Sequence, residues 1–212
     1  MYKGVIFDLD GTLVNSIEDI KNSMNRALEK YELETNDLDF YISHIGQGLL
    51  TLTKDATRNQ KVELVYQELL SDYSDNYLVK TKSYPHISEL VDRLSKKGIK
   101  IAVNSNKKDE FTKDIVNTLF KDIEFVDVIG DRENINKKPD PHSANEIIEK
   151  MDLDKSDIVY VGDTDHDMQT AINAEIDSIG VTWGYRSKAE LQAANAKYIA
   201  DDVQELESLL IK

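Results

Sequence analysis

Between Val62 and Tyr77 the apolar residues Val62, Val65, Tyr66, Leu69, Tyr73 and Tyr77 return every three or four positions, the period of one helical face. Ile17, Ile20, Met24, Ala27, Leu28 and Tyr31 form a second stripe of this kind. Leu38, Tyr41, Ile42 and Ile45 form a shorter third, and His44-Ile45-Gly46-Gln47-Gly48 then reads as a break before a short helix from Leu49 to Ala56. Asn15 or Ser16 is placed to cap the first helix, and Glu18 and Asp19 fall in its first turn, where the helix dipole favours acids. Residues from about 15 to 82 therefore read as all-helical, with no strand signal. The tyrosines at helical spacing, Tyr73 and Tyr77, read as core packing.

After Tyr84-Pro85 the pattern changes to alternation of helix and strand. Short apolar runs at 99–103, 125–129, 157–161, 178–182 and 198–199 read as strands. Between and after them, periodic segments read as helices: Ile87 to Leu94 stopped by Gly98, Asp109 to Phe120, Ala144 to Met151, Met168 to Ile172, Lys188 to Ala194 and Val203 to Leu210. Val5-Ile6-Phe7 supplies one more buried strand ahead of the helical block. Repeated strand–helix units imply an α/β fold with a Rossmann-like, doubly wound parallel sheet. Residues 1–14 and 83–212 are expected to form this core, and 15–82 an inserted helical cap.

In such sheets ligands bind beyond the carboxyl ends of the strands. The polar clusters fall at those ends. Val5-Ile6-Phe7 runs into Asp8-Leu9-Asp10-Gly11-Thr12. Strand side chains alternate, so two acids two residues apart would face the same way if the strand continued. They repel unless a cation lies between them, and a hard cation with oxygen ligands, Mg²⁺, meets that need. Gly11 permits a sharp turn and close approach to a ligand, and the Thr12 hydroxyl can steady the loop. Ser105-Asn106 follows a second strand, Gly162-Asp163-Thr164 with Asp167 follows a third, and Lys138 lies in a loop restricted by Pro139 and Pro141.

Phosphoryl transfer from a monoester needs a nucleophile, a proton donor for the leaving oxygen and positive charge around the equatorial oxygens. Asp8 fits the nucleophile and Asp10 the acid/base. Asp163 would complete a Mg²⁺ site with Asp8 and the Asp10 carbonyl, and Asp167 would hold a metal-bound water. Lys138 would neutralise developing charge, while the Ser105 hydroxyl and Asn106 N–H take phosphate oxygens, and Gly11 and Thr12 of the first loop join Asn106 in binding the phosphate. Plainer readings exist for each: a solvated loop lysine, a helix cap at Ser105-Asn106, a simple turn at Asp163. His86, His142 and His166 show no metal spacing and read as surface residues.

Composition sharpens this. Lys and Arg number 26 against 40 Asp and Glu, a formal charge of −14, which argues against nucleic acid or an anionic membrane as partner. Mg²⁺ and one lysine would make a locally positive site on this acidic background. With no cysteine in the 212 residues there is no disulfide, zinc-thiolate site or thiol nucleophile, which suits a reducing cytosol. The start, MYKGVIFDLD, carries acids where a signal peptide needs an apolar run, and no apolar stretch is long enough to span a bilayer, so a cytoplasmic location is expected.

Asp8-Leu9-Asp10-Gly11-Thr12, Ser105-Asn106, Lys138, and Gly162-Asp163 with Asp167 resemble the four motifs of haloacid-dehalogenase-superfamily phosphohydrolases with a helical cap after the first motif. The resemblance covers nearly the whole chain. It implies a Mg²⁺-dependent phosphatase that acts through an aspartyl phosphate on a small phosphorylated metabolite, as monomer or homodimer. Within the family, His44-Ile45-Gly46-Gln47-Gly48 and Val181-Thr182-Trp183-Gly184-Tyr185 are similar to the phosphoglycolate phosphatase branch. That branch usually carries an arginine in the cap helix after the glycine turn, where this chain has Asp55, with Lys54 and Arg58 nearby; a glycine usual after the fourth-motif helix is Glu175. Inorganic pyrophosphatase, sugar-phosphate phosphatase or phosphomutase of the same superfamily stay open, as does, more remotely, a phospho-accepting signalling domain.

Overall fold

The structure is a computed structural model that describes residues 1–211. In chain order the elements begin with β1 (Gly4–Phe7), β2 (Val14–Asn15), α1 (Ile17–Lys30), α2 (Leu38–His44), α3 (Leu49–Ala56), α4 (Val62–Asn76) and β3 (Lys82–Ser83). There follow α5 (Ile87–Lys96), β4 (Lys100–Lys108), α6 (Asp109–Leu119), β5 (Asp127–Asp131), α7 (His142–Met151) and β6 (Ile158–Gly162). The chain ends with α8 (Asp165–Ala174), β7 (Asp177–Val181), α9 (Lys188–Ala193), β8 (Tyr198–Ala200) and α10 (Val203–Ile211). Six strands form one parallel sheet in the order β5-β4-β1-β6-β7-β8, the expected doubly wound α/β core.

The period of two in β1 decides how the sheet is covered. Val5 and Phe7 join an apolar cluster with Leu90, Ile115 and Leu206, from α5, α6 and α10. Ile6, between them, points to the opposite face and packs with Ile147, Tyr160 and Ala171, from α7, β6 and α8. A strand buried on both faces must be apolar throughout, and all four residues of β1 are buried. β1 is central and in register with both neighbours, Phe7 lying opposite Val103 and Val161. The carboxyl end of β1 therefore lies beside that of β6, and β4 runs on past both to Lys108.

The four helices α1 to α4 bury their apolar stripes against one another in a third cluster, which includes Ile20, Met24, Leu52, Leu69 and Tyr73 and reaches Phe111 of the core. Two expectations change here. Residues 15–82 are not wholly helical: Val14 pairs with Ser83 and Asn15 with Lys82 in a two-residue antiparallel ladder. Two residues are too few to show a period, so only the assembled structure reveals it. And Ser16, at the cap position of α1, makes no side-chain cap; its hydroxyl donates to Asp10 instead. The buried Asp19 carboxylate clasps the returning chain, accepting from Lys80 N at 2.8 Å, Thr81 N at 2.8 Å and Thr81 Oγ1 at 2.8 Å. No helix among the described residues is long and apolar enough to cross a membrane.

Candidate active site

β1 stops at Phe7, and the chain after Asp8 curls tightly, with Leu13 N donating to Leu9 O at 2.9 Å and Gly11 N to Val14 O at 2.9 Å. Asp8 and Asp10 thus leave the strand geometry and acquire separate partners, though both line the same cleft. Gly11 sits at φ +90°, and a Cβ there would lie 2.2 Å from Asp163 Oδ2. Only glycine meets both demands. From the other side Gly184 leaves the same room: its Cβ would fall 2.4 Å from Asp163 Oδ2. The Asp163 carboxylate held between them accepts from Thr12 Oγ1 at 2.9 Å and Tyr185 N at 2.8 Å.

Asp167 is fixed by helix geometry. It is the third residue of α8 and forms a capping box with Thr164, whose N and Oγ1 donate to Asp167 Oδ2 at 3.0 and 2.7 Å. Its other oxygen meets Lys138 Nζ at 2.7 Å, and the same ammonium meets Asp8 Oδ1 at 2.7 Å. Lys138 is delivered by Asn106: Asn106 Oδ1 accepts from Lys138 N at 2.9 Å, and Asn106 Nδ2 donates to Lys138 O at 3.2 Å and to Gly46 O of the helical insertion at 2.9 Å.

Asp8, Asp163 and Asp167 each offer a carboxylate oxygen, all within 4.8 Å of one another and all buried. Lys138 meets Asp8 and Asp167 but not Asp163, so with all three ionised two negative charges would stay uncancelled. One divalent cation with oxygen ligands would cancel them, and the donor set fits Mg²⁺. The electrostatics agree. Burial pushes the Asp8 carboxyl up to about 7 although Lys138 opposes it, and burial with the charges of Asp8 and Asp167 drives Asp163 well above the carboxylate range. Burial pulls the Lys138 ammonium down, but Asp167 and Asp8 outweigh it and hold it protonated.

The Asp10 side chain stands outside this oxygen cluster, so of the residues placed around the metal it is the one whose carboxyl does not join the set. It accepts from Ser16 Oγ and from Lys107 Nζ at 2.9 and 3.1 Å. Thr12, placed by the sequence among the phosphate-binding groups, spends its hydroxyl on Asp163. Ser105 lines the cleft, its Oγ accepting from Lys107 N at 3.2 Å.

The family model for haloacid dehalogenase-like hydrolases matches residues 5–181. The chain belongs to this family. It is similar to the phosphoglycolate phosphatase of Aquifex aeolicus (strain VF5), with 32% identity over 85% of each chain. It also resembles a crystal structure from Lactobacillus delbrueckii subsp. bulgaricus provisionally named a phosphoglycolate phosphatase, at 30% identity and TM-score 0.91, covering 99% of this chain and 98% of that one. A predicted phosphoglycolate phosphatase from Haemophilus somnus gives 25% identity and TM-score 0.91, covering 98% and 97%. The chain is a phosphatase of the haloacid dehalogenase-like hydrolases.

In this hydrolase Lys107 is the residue that sequence reasoning passed over. Its ammonium is buried, held on Asp10, and lies 5.0 Å from the ring centroid of Tyr73 in α4. Burial alone would lower its pKa, but Asp10 raises it and keeps the charge. The apolar run ends at Val103, which leaves Lys107 beyond the expected strand; β4 in fact runs to Lys108. The signal was there: an ammonium one residue beyond Ser105-Asn106 reaches the same strand tips. Tyr185, whose backbone N–H orients Asp163, left no signal, because any residue supplies that donor.

Proposed function

We propose that this phosphatase removes phosphate from a small phosphorylated metabolite in a Mg²⁺-dependent reaction, through an aspartyl phosphate on Asp8. The observation that carries the reading is Asp8 and Lys138 on the floor of a cleft, with Asp163 and Asp167 buried within reach of the same cation as Asp8. An Asp8 carboxylate oxygen attacks phosphorus, the bond from phosphorus to the ester oxygen breaks, and the Asp10 carboxyl gives its proton to that leaving oxygen. Water then loses a proton to Asp10 and attacks phosphorus, the acyl phosphate bond breaks, and Asp8 is regenerated with inorganic phosphate released. Lys107 and Ser16 hold the Asp10 carboxyl in place for both transfers. Lys138 Nζ balances charge on Asp8 and the transferring oxygens, with the Ser105 hydroxyl and Asn106 N–H as further donors. When bound by Asp8, Asp163, Asp167 and the Asp10 carbonyl, Mg²⁺ would supply charge neutralisation between nucleophile and phosphate.

Residues 15–82 serve in this reading as a cap over the cleft, excluding water during transfer. A small metabolite suits a chain of net charge −14 better than a nucleic acid. The names of the relatives make 2-phosphoglycolate the first substrate to assay. The test is phosphate release from a panel of phosphate esters and pyrophosphate with Mg²⁺. Asp8→Asn should lower release by about 10³-fold or more. Release unchanged by that substitution, or an isomerised sugar phosphate formed without release, would overturn the reading.

A further inference from the structure

The cleft has two unlike walls, and the difference bears on which alcohol leaves. Resting on the hydrolase reading above, we infer that the site selects phosphate monoesters with an uncharged, largely apolar leaving group and discriminates against one that carries a carboxylate. The floor is polar and belongs to the core, whereas the facing wall is made by Ile20, Ile45, Leu49 and Leu52 of the helical insertion. None of these offers a hydrogen-bonding side chain.

The two ammoniums that line the cleft already have their acids, and the cations around it are engaged or turned outward. Lys138 is matched by Asp8 and Asp167, and Lys107 by both oxygens of Asp10. Lys137, which lies against Gly48, is held by Asp131 at 2.9 Å. Arg58 of the insertion faces outward to Glu34 at 3.2 Å, and Lys54 is exposed. Arg186 spends its guanidinium on the carbonyl oxygens of Ile42 and Ile45, at 2.8 and 2.9 Å. The N-terminal end of α3 borders the cleft at Gly48, but the Asn106 carbonyl oxygen already crowds that position, 3.0 Å from where a Cβ would be.

Charge counting leads the same way. A divalent cation brings the floor to neutrality, and a phosphate dianion then adds two negative charges. A carboxylate on the leaving group adds a third, against an apolar wall where its lost hydration is not replaced. A methylene, ring or ester in the same place gains from leaving water.

The discriminating pair is 2-phosphoglycolate and its carboxyl methyl ester, which share the scissile bond and differ in one charge. Phosphate release is measured with Mg²⁺ for both, using wild type and Asp8→Asn. We expect kcat/KM at least about tenfold higher for the ester, about 1.4 kcal/mol. Leu49→Lys, checked for folding by its thermal transition, should narrow or invert the ratio. Equal or faster hydrolysis of the free acid by wild type would overturn the selectivity while leaving the phosphatase reading intact. Failure of wild type to hydrolyse either compound or any other monoester, or release unaffected by Asp8→Asn, would instead remove the reading on which the selectivity rests.

Discussion

The floor of the cleft and its facing wall are built on opposite principles. On the floor each acid has its own fixings. Asp163 is wedged between Gly11 and Gly184 and bonded by Thr12 and Tyr185, and Asp167 is fixed by a capping box and by Lys138. On the wall, Ile20, Ile45, Leu49 and Leu52 belong equally to the hydrophobic cluster of α1 to α4 and ask only for volume and apolarity. Directional bonds leave the floor one arrangement; dispersion leaves the wall many. Reaction type and substrate choice are thereby separated, and substitutions on the two sides should differ in kind.

The largest effect we expect is on stability. Lys107→Met leaves the Asp10 carboxylate without its ammonium beneath the cap and should cost on the order of 3 kcal/mol, read from urea unfolding. A loss under 1 kcal/mol would mean that the floor is less constrained than its bonds indicate.

The metal-free floor should also respond to pH. The folded Asp8 carboxyl, at about 7, lies above its ordinary 3.8, and Asp163 is raised too. A group raised on folding contributes stability that is whole below the unfolded value and lost as pH climbs through the folded one. In EDTA the protein should therefore be less stable at pH 8 than at pH 5, by about 2–3 kcal/mol. Mg²⁺ should stabilise it far more at pH 8. Equal stability at both pH values in EDTA would separate the acids from folding.

Gly184→Ala pushes into Asp163 without touching substrate, and should weaken apparent Mg²⁺ affinity about 10- to 100-fold, with turnover recovered at high Mg²⁺. The smallest effect belongs to Arg186→Ala, which frees the carbonyls of Ile42 and Ile45 and should raise KM a few-fold with little change in kcat. A fall in kcat larger than the rise in KM would mean that Arg186 shapes the floor and not only the wall's position.

Much of this was legible in the chain. Val5-Ile6-Phe7 ends abruptly in acids, and such a boundary marks a strand tip whatever the tertiary context. Three such tips and one Pro-framed lysine were enough to predict that Asp8, Ser105, Lys138, Asp163 and Asp167 meet, and the structure brings them to one place. The parts not legible depend on contacts between distant residues. β4 continues through Asn104, Ser105, Asn106 and Lys107 although they are polar, because the Lys138 backbone takes up the Asn106 amide, Asp10 takes up the Lys107 ammonium, and Tyr160 Oη donates to the Asn104 backbone carbonyl, all from elsewhere in the fold. Ser16 looks like a helix cap until Asp10 is seen within reach. The Thr12 hydroxyl has a phosphate on one reading and Asp163 on another, and local sequence does not choose.

The two-residue ladder of Val14–Asn15 with Lys82–Ser83 has a consequence for engineering. Because this separate ladder holds the two ends of the helical segment side by side, a tight reverse turn would span the gap if the segment were removed, with the loss of the Ser16 and Gly46 bonds to the core. By the same cut, a foreign segment of different length can be spliced in, so the ladder works as a socket. Exchange of what sits above the acids would leave Asp8, Asp163 and Asp167 with the partners they have in the core, and only Asp10 would lose one, the Ser16 hydroxyl.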